Sequence, residues 1–408
     1  MKKVLSVTLA SAMAVVTLAG CGGGNSAQQT KTAETAATTA AGATEAAEST
    51  KTGDQEPVTI RFSWWGGESR HKATLEAVDA FMKEYPWITV ECEYSAWDGW
   101  QDKVATQLAG GTAPDLMQIN WNWLYQYSGD GSKFVDLNQY SDIISLENFP
   151  EVNLEAMTVA GKLQGVPISV TSKLFMWQKN SFDKAGIEIP KTWDELKSMA
   201  KDLTDPNKGQ YGFMWYELGT REPCFAWWLS YYWQAGGQVW KNGVTGKDFN
   251  INNEAGLAAL NLQVDMLYKD CSAVPPTTQE TALAENGKVA MWMQGCWNVS
   301  TYPKTAPDLK WKATLLPAYK NDAHNALVDV YGVLKDSKNP ELAYEFVKML
   351  TCEENDLTFN VAAGQMPVRK VNYEKEPYAN DENWQAFIEA LQLPETQPKP
   401  VCQGYEEM

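Results

Sequence analysis

Histidine is nearly absent from this chain: His71 and His324 are the only two in 408 residues, and they lie far apart. A zinc site or a histidine-dependent nucleophile therefore has little to be built from. Positive charge is also scarce. Lysine and arginine number 34 against 51 acidic residues, a net charge of -17, and no basic patch dominates. That balance argues against nucleic acid as a partner. No G-x-x-x-x-G-K-[ST] stretch occurs, so no nucleotide site is expected. Beyond the first twenty residues no run is apolar enough to cross a bilayer. Cysteine pairs of the CxxC kind are missing too. After Cys21, the six others (Cys92, Cys224, Cys271, Cys296, Cys352 and Cys402) are scattered. An exported chain can form disulfides, but an even number does not pair them. They fit equally as small buried residues with free thiols.

Tryptophan, in contrast, is abundant, at 18 residues. Two of them stand side by side in "FSWWGG" (62–67), at the end of an alternating stretch that begins at Val58. Val58, Ile60, Phe62 and Trp64 give the period of two that predicts a strand over 58–64. Leu75, Val78, Phe81 and Met82 then form an apolar stripe that predicts a helix over 69–84, ended by Pro86. Alternation returns in "ITVECEY" (88–94), a helix is predicted over 100–109, and "DLMQIN" (115–120) reads as a third strand. The order β-α-β-α-β implies parallel strands joined by right-handed crossovers.

Such a sheet places ligands outside the carboxyl ends of its strands. After the first strand come Trp64, Trp65 and Glu68. After the second comes "SAWDGW", with Trp97 and Trp100. After the third come Asn120, Trp121, Asn122 and Trp123. Indoles and amides thus meet on one edge of one sheet. Flat rings beside planar acceptors and donors suit a sugar, whose C–H face stacks while its hydroxyls bond. Stacked nucleobases would also suit the rings, but the acidic balance disfavours their phosphates.

The amino-terminal segment has export character. Lys2 and Lys3 precede an apolar run over 4–18, too short for a comfortable span. It ends in "LAGC", which resembles the lipobox of bacterial lipoproteins and marks Cys21 as the lipid-bearing first residue of the mature chain. Plain secretion with cleavage elsewhere is the other reading. Residues 21–57 are rich in Gly, Ala, Thr, Ser and Glu, with few large apolar side chains, and read as a flexible tether.

The middle of the chain resembles extracellular solute-binding proteins that serve carbohydrate ABC importers, a maltose-binding-protein-like family. The likeness rests on "GKLQGVPISVTSKLFMWQKNSFDKAGIEIPKTWDELKSMAKDL" (161–203), "NGKVAMWMQGCWN" (286–298), "LLPAY", "GVLKDSKNPELAYEFVKML" (332–350) and "AAGQMPVRK" (362–370). In order, these cover nearly all of 58–405. Within "PKTWDEL", Thr192 and Glu195 have the spacing of a capping box, with Leu196 and Met199 inward and Trp193 structural.

The resemblance implies an α/β, two-lobed periplasmic-binding-protein-like fold of type II, with ligand in the interlobe cleft. It puts a signal peptide at 1–20, one lobe at 58–168 plus 318–365, and the other at 169–317 plus 366–408. Members continue past "QPKPVCQGYEEM" into a closing helix, so a chain truncated at Met408 is expected. It also implies contacts from Trp64, Trp65, Glu68, Asn120, Asn122 and Trp123 on the first lobe, and from Thr171 just beyond the first crossing. From the second it implies Glu222, Trp227, Trp297 and Tyr405; Asp329, a further candidate contact, and Tyr331 lie by a lobe edge and fit a structural role equally. Trp228 and Trp233 read as core. Arg70 reads as a surface arginine at a helix start; at the cleft rim, its guanidinium would suit a uronic acid carboxylate.

The implied partners are a carbohydrate ligand, the ABC permease and, through the lipid, the membrane. No cofactor and no catalysis are expected, the chain acting as a monomer on the outer face of the cell membrane. A secreted glycan hydrolase or lyase is the alternative, since its carboxylate pair could be drawn from so many acids. No hydrolase motif accompanies the importer-family segments. A surface adhesin with the same tether should show repeats or a β-rich pattern, and neither occurs.

Overall fold

The computed structural model describes residues 55–149, 153–154, 157–215, 221–241, 249–278, 282–394 and 396–398, with the backbone alone for 121, 122 and 221–227. Its first five elements are β1 (Val58–Trp65), α1 (Glu68–Glu84), β2 (Ile88–Ser95), α2 (Trp100–Gly110) and β3 (Leu116–Asn120). These are the expected elements, shifted by one residue at a few ends. β2 and β3 flank β1, both parallel to it. Val78 and Phe81 of α1 are buried, as the stripe requires.

Next come α3 (Trp121–Ser128) and a small antiparallel ribbon, β4 (Thr158–Val159) with β5 (Lys162–Leu163). A strand of 13 residues follows, β6 (Val166–Gln178). Beyond it lie α4 (Lys179–Ala185), α5 (Trp193–Asp202), β7 (Tyr211–Met214), α6 (Arg221–Gln234), α7 (Glu254–Val264) and α8 (Ala282–Glu285). Then come β8 (Val289–Gly295), α9 (Trp297–Thr305), β9 (Trp311–Thr314) and β10 (Asn325–Val333). The described chain closes with α10 (Pro340–Leu350), α11 (Glu353–Ala363), α12 (Glu382–Gln392) and β11 (Gln397–Pro398).

β6 belongs to two bodies. Its residues Val166 to Ser172 pair antiparallel with β10, which pairs in turn with β3. From Lys173 onward it pairs with β8 and β9, and β7 lies beyond β8. The order is β2-β1-β3-β10-β6-β8-β7. The result is a two-lobed α/β fold of type II, with one strand common to both lobes.

α5 starts as its sequence predicts. Thr192 Oγ1 accepts from the Glu195 N–H at 3.2 Å, and Glu195 Oε2 accepts from the Thr192 N–H at 3.3 Å. Trp193 is buried, stacks on Tyr319 with ring centres 4.4 Å apart, and donates its indole N–H to Gln234. It is structural, and Trp233 is buried as well. Among the described residues Cys92, Cys271, Cys296 and Cys352 carry free thiols; Cys21, Cys402 and the side chain of Cys224 lie outside them.

Candidate ligand site

The two neighbouring tryptophans point to opposite faces of β1, because successive strand side chains alternate. Trp64 is fully buried. Its ring stacks on Phe62 at 4.8 Å and is covered by Tyr94 at 4.7 Å. Its indole N–H donates to His71 Nδ1 over 3.1 Å. The expectation that Trp64 meets ligand is therefore corrected: burial leaves its ring no surface to offer.

Trp65 turns the other way, into a group of indoles drawn from three strand ends. Its ring lies 5.3 Å from Trp97, 5.3 Å from Trp123 and 6.4 Å from Trp100. Trp97 stacks on Trp123 at 5.0 Å with 28° between planes. Trp123 and Trp65 are buried, whereas Trp97 is 44% exposed. Trp97 is thus the presented ring, with Trp123 as its backing. The expected contact residues omitted Trp97, although the "SAWDGW" stretch after β2 already signalled it.

Polar groups gather beside this cluster, on β3, β6 and β10. Asp329 faces Asn120 in the β3–β10 ladder. It accepts from Gln118 Nε2 at 3.1 Å and Ser169 Oγ at 3.3 Å, and its Oδ2 lies 3.6 Å from Arg70 Nη1. Burial pushes the Asp329 carboxyl up, and the Arg70 guanidinium opposes that shift. Arg70 is itself buried and donates to the Trp65 carbonyl at 3.3 Å. Gly66 permits the approach, since a Cβ there would fall 2.4 Å from Arg70 Cδ. The surface reading of Arg70 is thereby corrected: the arginine ties the end of β1 to β10.

Asn120 stands at the start of α3, yet its side chain makes no capping bond. Its Oδ1 is buried and meets no hydrogen-bond partner among the described residues, as does Gln118 Oε1. Buried acceptors left so are costly and ask for a donor. Glu68 is exposed at the first turn of α1. Thr171, expected to meet ligand, is buried with its hydroxyl committed: Oγ1 lies 2.8 Å from Cys296 Sγ and accepts from the Cys296 N–H at 3.3 Å. Burial pushes the Cys296 thiol up to about 12, so it is neutral.

On the other lobe, Trp297 opens α9 and is half-buried. The Lys173 ammonium stands 4.0 Å over its ring. Lys173 was not among the expected site residues; its place opposite Gly295 depends on the β6–β8 pairing, which the sequence does not reveal. The side chains of Asn122, Glu222 and Trp227, and the whole of Tyr405, lie outside the described residues. A separate cavity of about 780 Å³ lies by β9, α12 and the 315–318 crossing, and none of the expected contacts lines it.

These features define a two-lobed binding protein, and the chain belongs to the bacterial extracellular solute-binding protein family, whose model matches residues 66–356. A protein of Brucella abortus (strain 2308), named as a binding protein, is 29% identical over 351 residues, 82% of this chain and 81% of its own. The ABC substrate-binding protein Lmo0181 of Listeria monocytogenes, solved with cycloalternan, matches with a TM-score of 0.76 over 86% of this chain and 90% of its own. At 24% identity that is a likeness of fold. An oligogalacturonide-binding protein of Yersinia enterocolitica, solved with saturated digalacturonic acid, is 26% identical with a TM-score of 0.70, covering 86% of this chain and 90% of its own.

Proposed function

We propose that this chain is a lipid-anchored binding protein that captures an oligosaccharide by hinge closure and delivers it to the permease of an ABC importer. The observation that carries this reading is the Trp65–Trp97–Trp123 cluster beside the Asp329 carboxylate and Asn120 Oδ1, which has no hydrogen-bond partner among the described residues. Flat apolar faces next to fixed acceptors suit a pyranose better than a peptide or a nucleotide. Family membership supports it, as does the oligogalacturonide-binding relative.

The first-lobe contacts are Trp97, Glu68, Asn120 and Asp329, with Trp65 and Trp123 packed behind Trp97; Trp297 is the second-lobe platform. Asn122, Glu222, Trp227 and Tyr405 keep the role that the family resemblance implies. The lobes are 58–168 with 318–365, and 169–317 with 366–408. The change of ladder partner between Ser172 and Lys173 supports a division close to that boundary. The protein acts as a monomer and returns its ligand unchanged.

A thermal-shift screen against a glycan panel tests the reading. A ligand at 100 times its dissociation constant adds about 2.7 kcal/mol of stability. A panel without a single shift would remove the carbohydrate assignment. Sustained cleavage of a bound glycan, lost when Glu68 or Glu222 becomes Gln, would replace binding with hydrolysis. For the anchor, Cys21→Ser should release the protein from membranes; a variant that stays membrane-bound would refute it.

A further inference from the structure

α7 and the π-helical turn that prolongs it, Asp265–Lys269, are apolar on two sides. Ala259, Leu262 and Met266 face inward and are buried. Leu257, Leu260, Val264 and Tyr268 face outward, between 41% and 68% exposed. Their steps of three, four and four residues make one stripe, about 16 Å long. A surface helix ordinarily carries polar residues on that side. Of the nine large apolar side chains exposed among the described residues, these are four. Single exposed apolar side chains need no explanation, whereas a continuous row marks a contact surface. None of the ligand contacts proposed above lies on it.

The charges beside the stripe narrow the partner. A helix that lies on a membrane surface is rich in lysine and arginine on its polar side. Here Lys269 is the one cation between residues 254 and 269, against Glu254 and Asp265. Glu254 stands at one end of the stripe and Lys269 at the other, both exposed. The Lys269 ammonium lies 3.9 Å from Asp265 Oδ1, a surface pairing of little strength. The pattern is complementary to itself. Two antiparallel copies of the stretch, related by a two-fold axis level with Leu262, set Leu260 against Val264, Leu257 against Tyr268 and Glu254 against Lys269. Asn261, exposed near the centre, comes beside its own copy, where each amide can donate to the other's oxygen.

We propose that this face docks a second copy of the chain, by antiparallel pairing of α7. Each copy captures its ligand alone, which is the sense in which the protein acts as a monomer; pairing belongs to a different surface. One helix face falls short of the roughly 800 Å² per partner that stable complexes bury. Two chains of net charge -17 also repel each other. The pairing is therefore weak in solution, and the lipid tether proposed above supplies the local concentration it needs.

Analytical ultracentrifugation of the full chain carrying Cys21→Ser, from about 1 μM to about 1 mM, reads the association. Reducing conditions are kept, because the Cys271 thiol is exposed. A dimer should form with a dissociation constant of about 10–100 μM. Leu260→Lys should weaken it about tenfold or more while the melting temperature holds, since the position is exposed. Glu254→Lys and Lys269→Glu should each weaken it about tenfold, and the double swap should return it to within about threefold of the parent chain. A parent chain that stays monomeric throughout overturns the proposal, as does a dimer that Leu260→Lys leaves intact. A double swap without recovery overturns the antiparallel register. A monomeric parent whose uptake of ligand by membranes is lost in Leu260→Lys would hand the face to the permease instead. Glycan binding is read separately, so failure here leaves the oligosaccharide reading standing.

Discussion

The indole N–H of Trp64 donates to Nδ1 of His71 across 3.1 Å, which makes His71 an acceptor and holds its ring neutral on that nitrogen. Burial and the neighbouring Arg70 charge lower the His71 pKa in the same sense. Trp64 is therefore a core residue at a strand end. Trp64→Ala should cost about 3–5 kcal/mol of stability, the range for truncating a buried aromatic. Ligand affinity of the folded fraction should stay within about threefold of wild type. Melting and calorimetry on the same sample separate the two effects; an affinity loss without a fall in melting temperature would contradict the core assignment.

Trp97 should behave in the opposite way. Its ring is exposed and rests on Trp123. Trp97→Ala should lower affinity by about 2 kcal/mol, the hot-spot range for a stacking tryptophan. That corresponds to roughly thirtyfold. Its melting temperature should hardly move. If affinity is unchanged, the cluster is not the sugar platform.

Arg70 and Asp329 form a buried pair whose partners depend on each other. Arg70→Met leaves the carboxylate inside without its cation and should cost about 3–5 kcal/mol. Adding Asp329→Asn should recover part of that loss. A double-mutant cycle by urea denaturation measures the coupling, and strictly additive losses would show that the two residues act independently.

His324 predicts an acid-sensitive fold. It is buried, and burial pushes its pKa down to about 4 from the ordinary value of 6.5. The unfolded chain binds this proton first, so the stabilisation is complete above about pH 6.5 and fades as pH falls toward 4. The whole effect is about 3 kcal/mol. Asp356 works against it in part of that window, because burial raises its carboxyl to about 6 and protonation there favours the folded state. Denaturation curves for wild type and His324→Gln between pH 7 and 4 isolate the histidine, and parallel curves would refute its role.

Local pattern made much of this legible. Alternation and helical stripes located β1 to β3 with α1 and α2, and two residues spaced three apart sufficed for the Thr192–Glu195 capping box. The same rule of alternation, applied one step further, separates Trp64 from Trp65: neighbours on a strand cannot both face the ligand. What stayed hidden was long-range pairing. Arg70 meets Asp329 only because β10 returns beside β3, and Lys173 meets Trp297 only because β6 changes partners midway. Neither meeting leaves a trace in the spacing of nearby residues.

The shared strand also governs how the molecule comes apart. β6 is one run of 13 residues, with β10 bonded to its first half and β8 and β9 to its second. Melting either lobe strips ladder partners from a strand that the other lobe needs. The lobes should therefore unfold as a single cooperative unit, with calorimetric and van't Hoff enthalpies in agreement. Amide protons along β6 should exchange only through global opening, at the slow limit for the whole chain. A molecule proposed to close about its waist would thus keep its most protected backbone there.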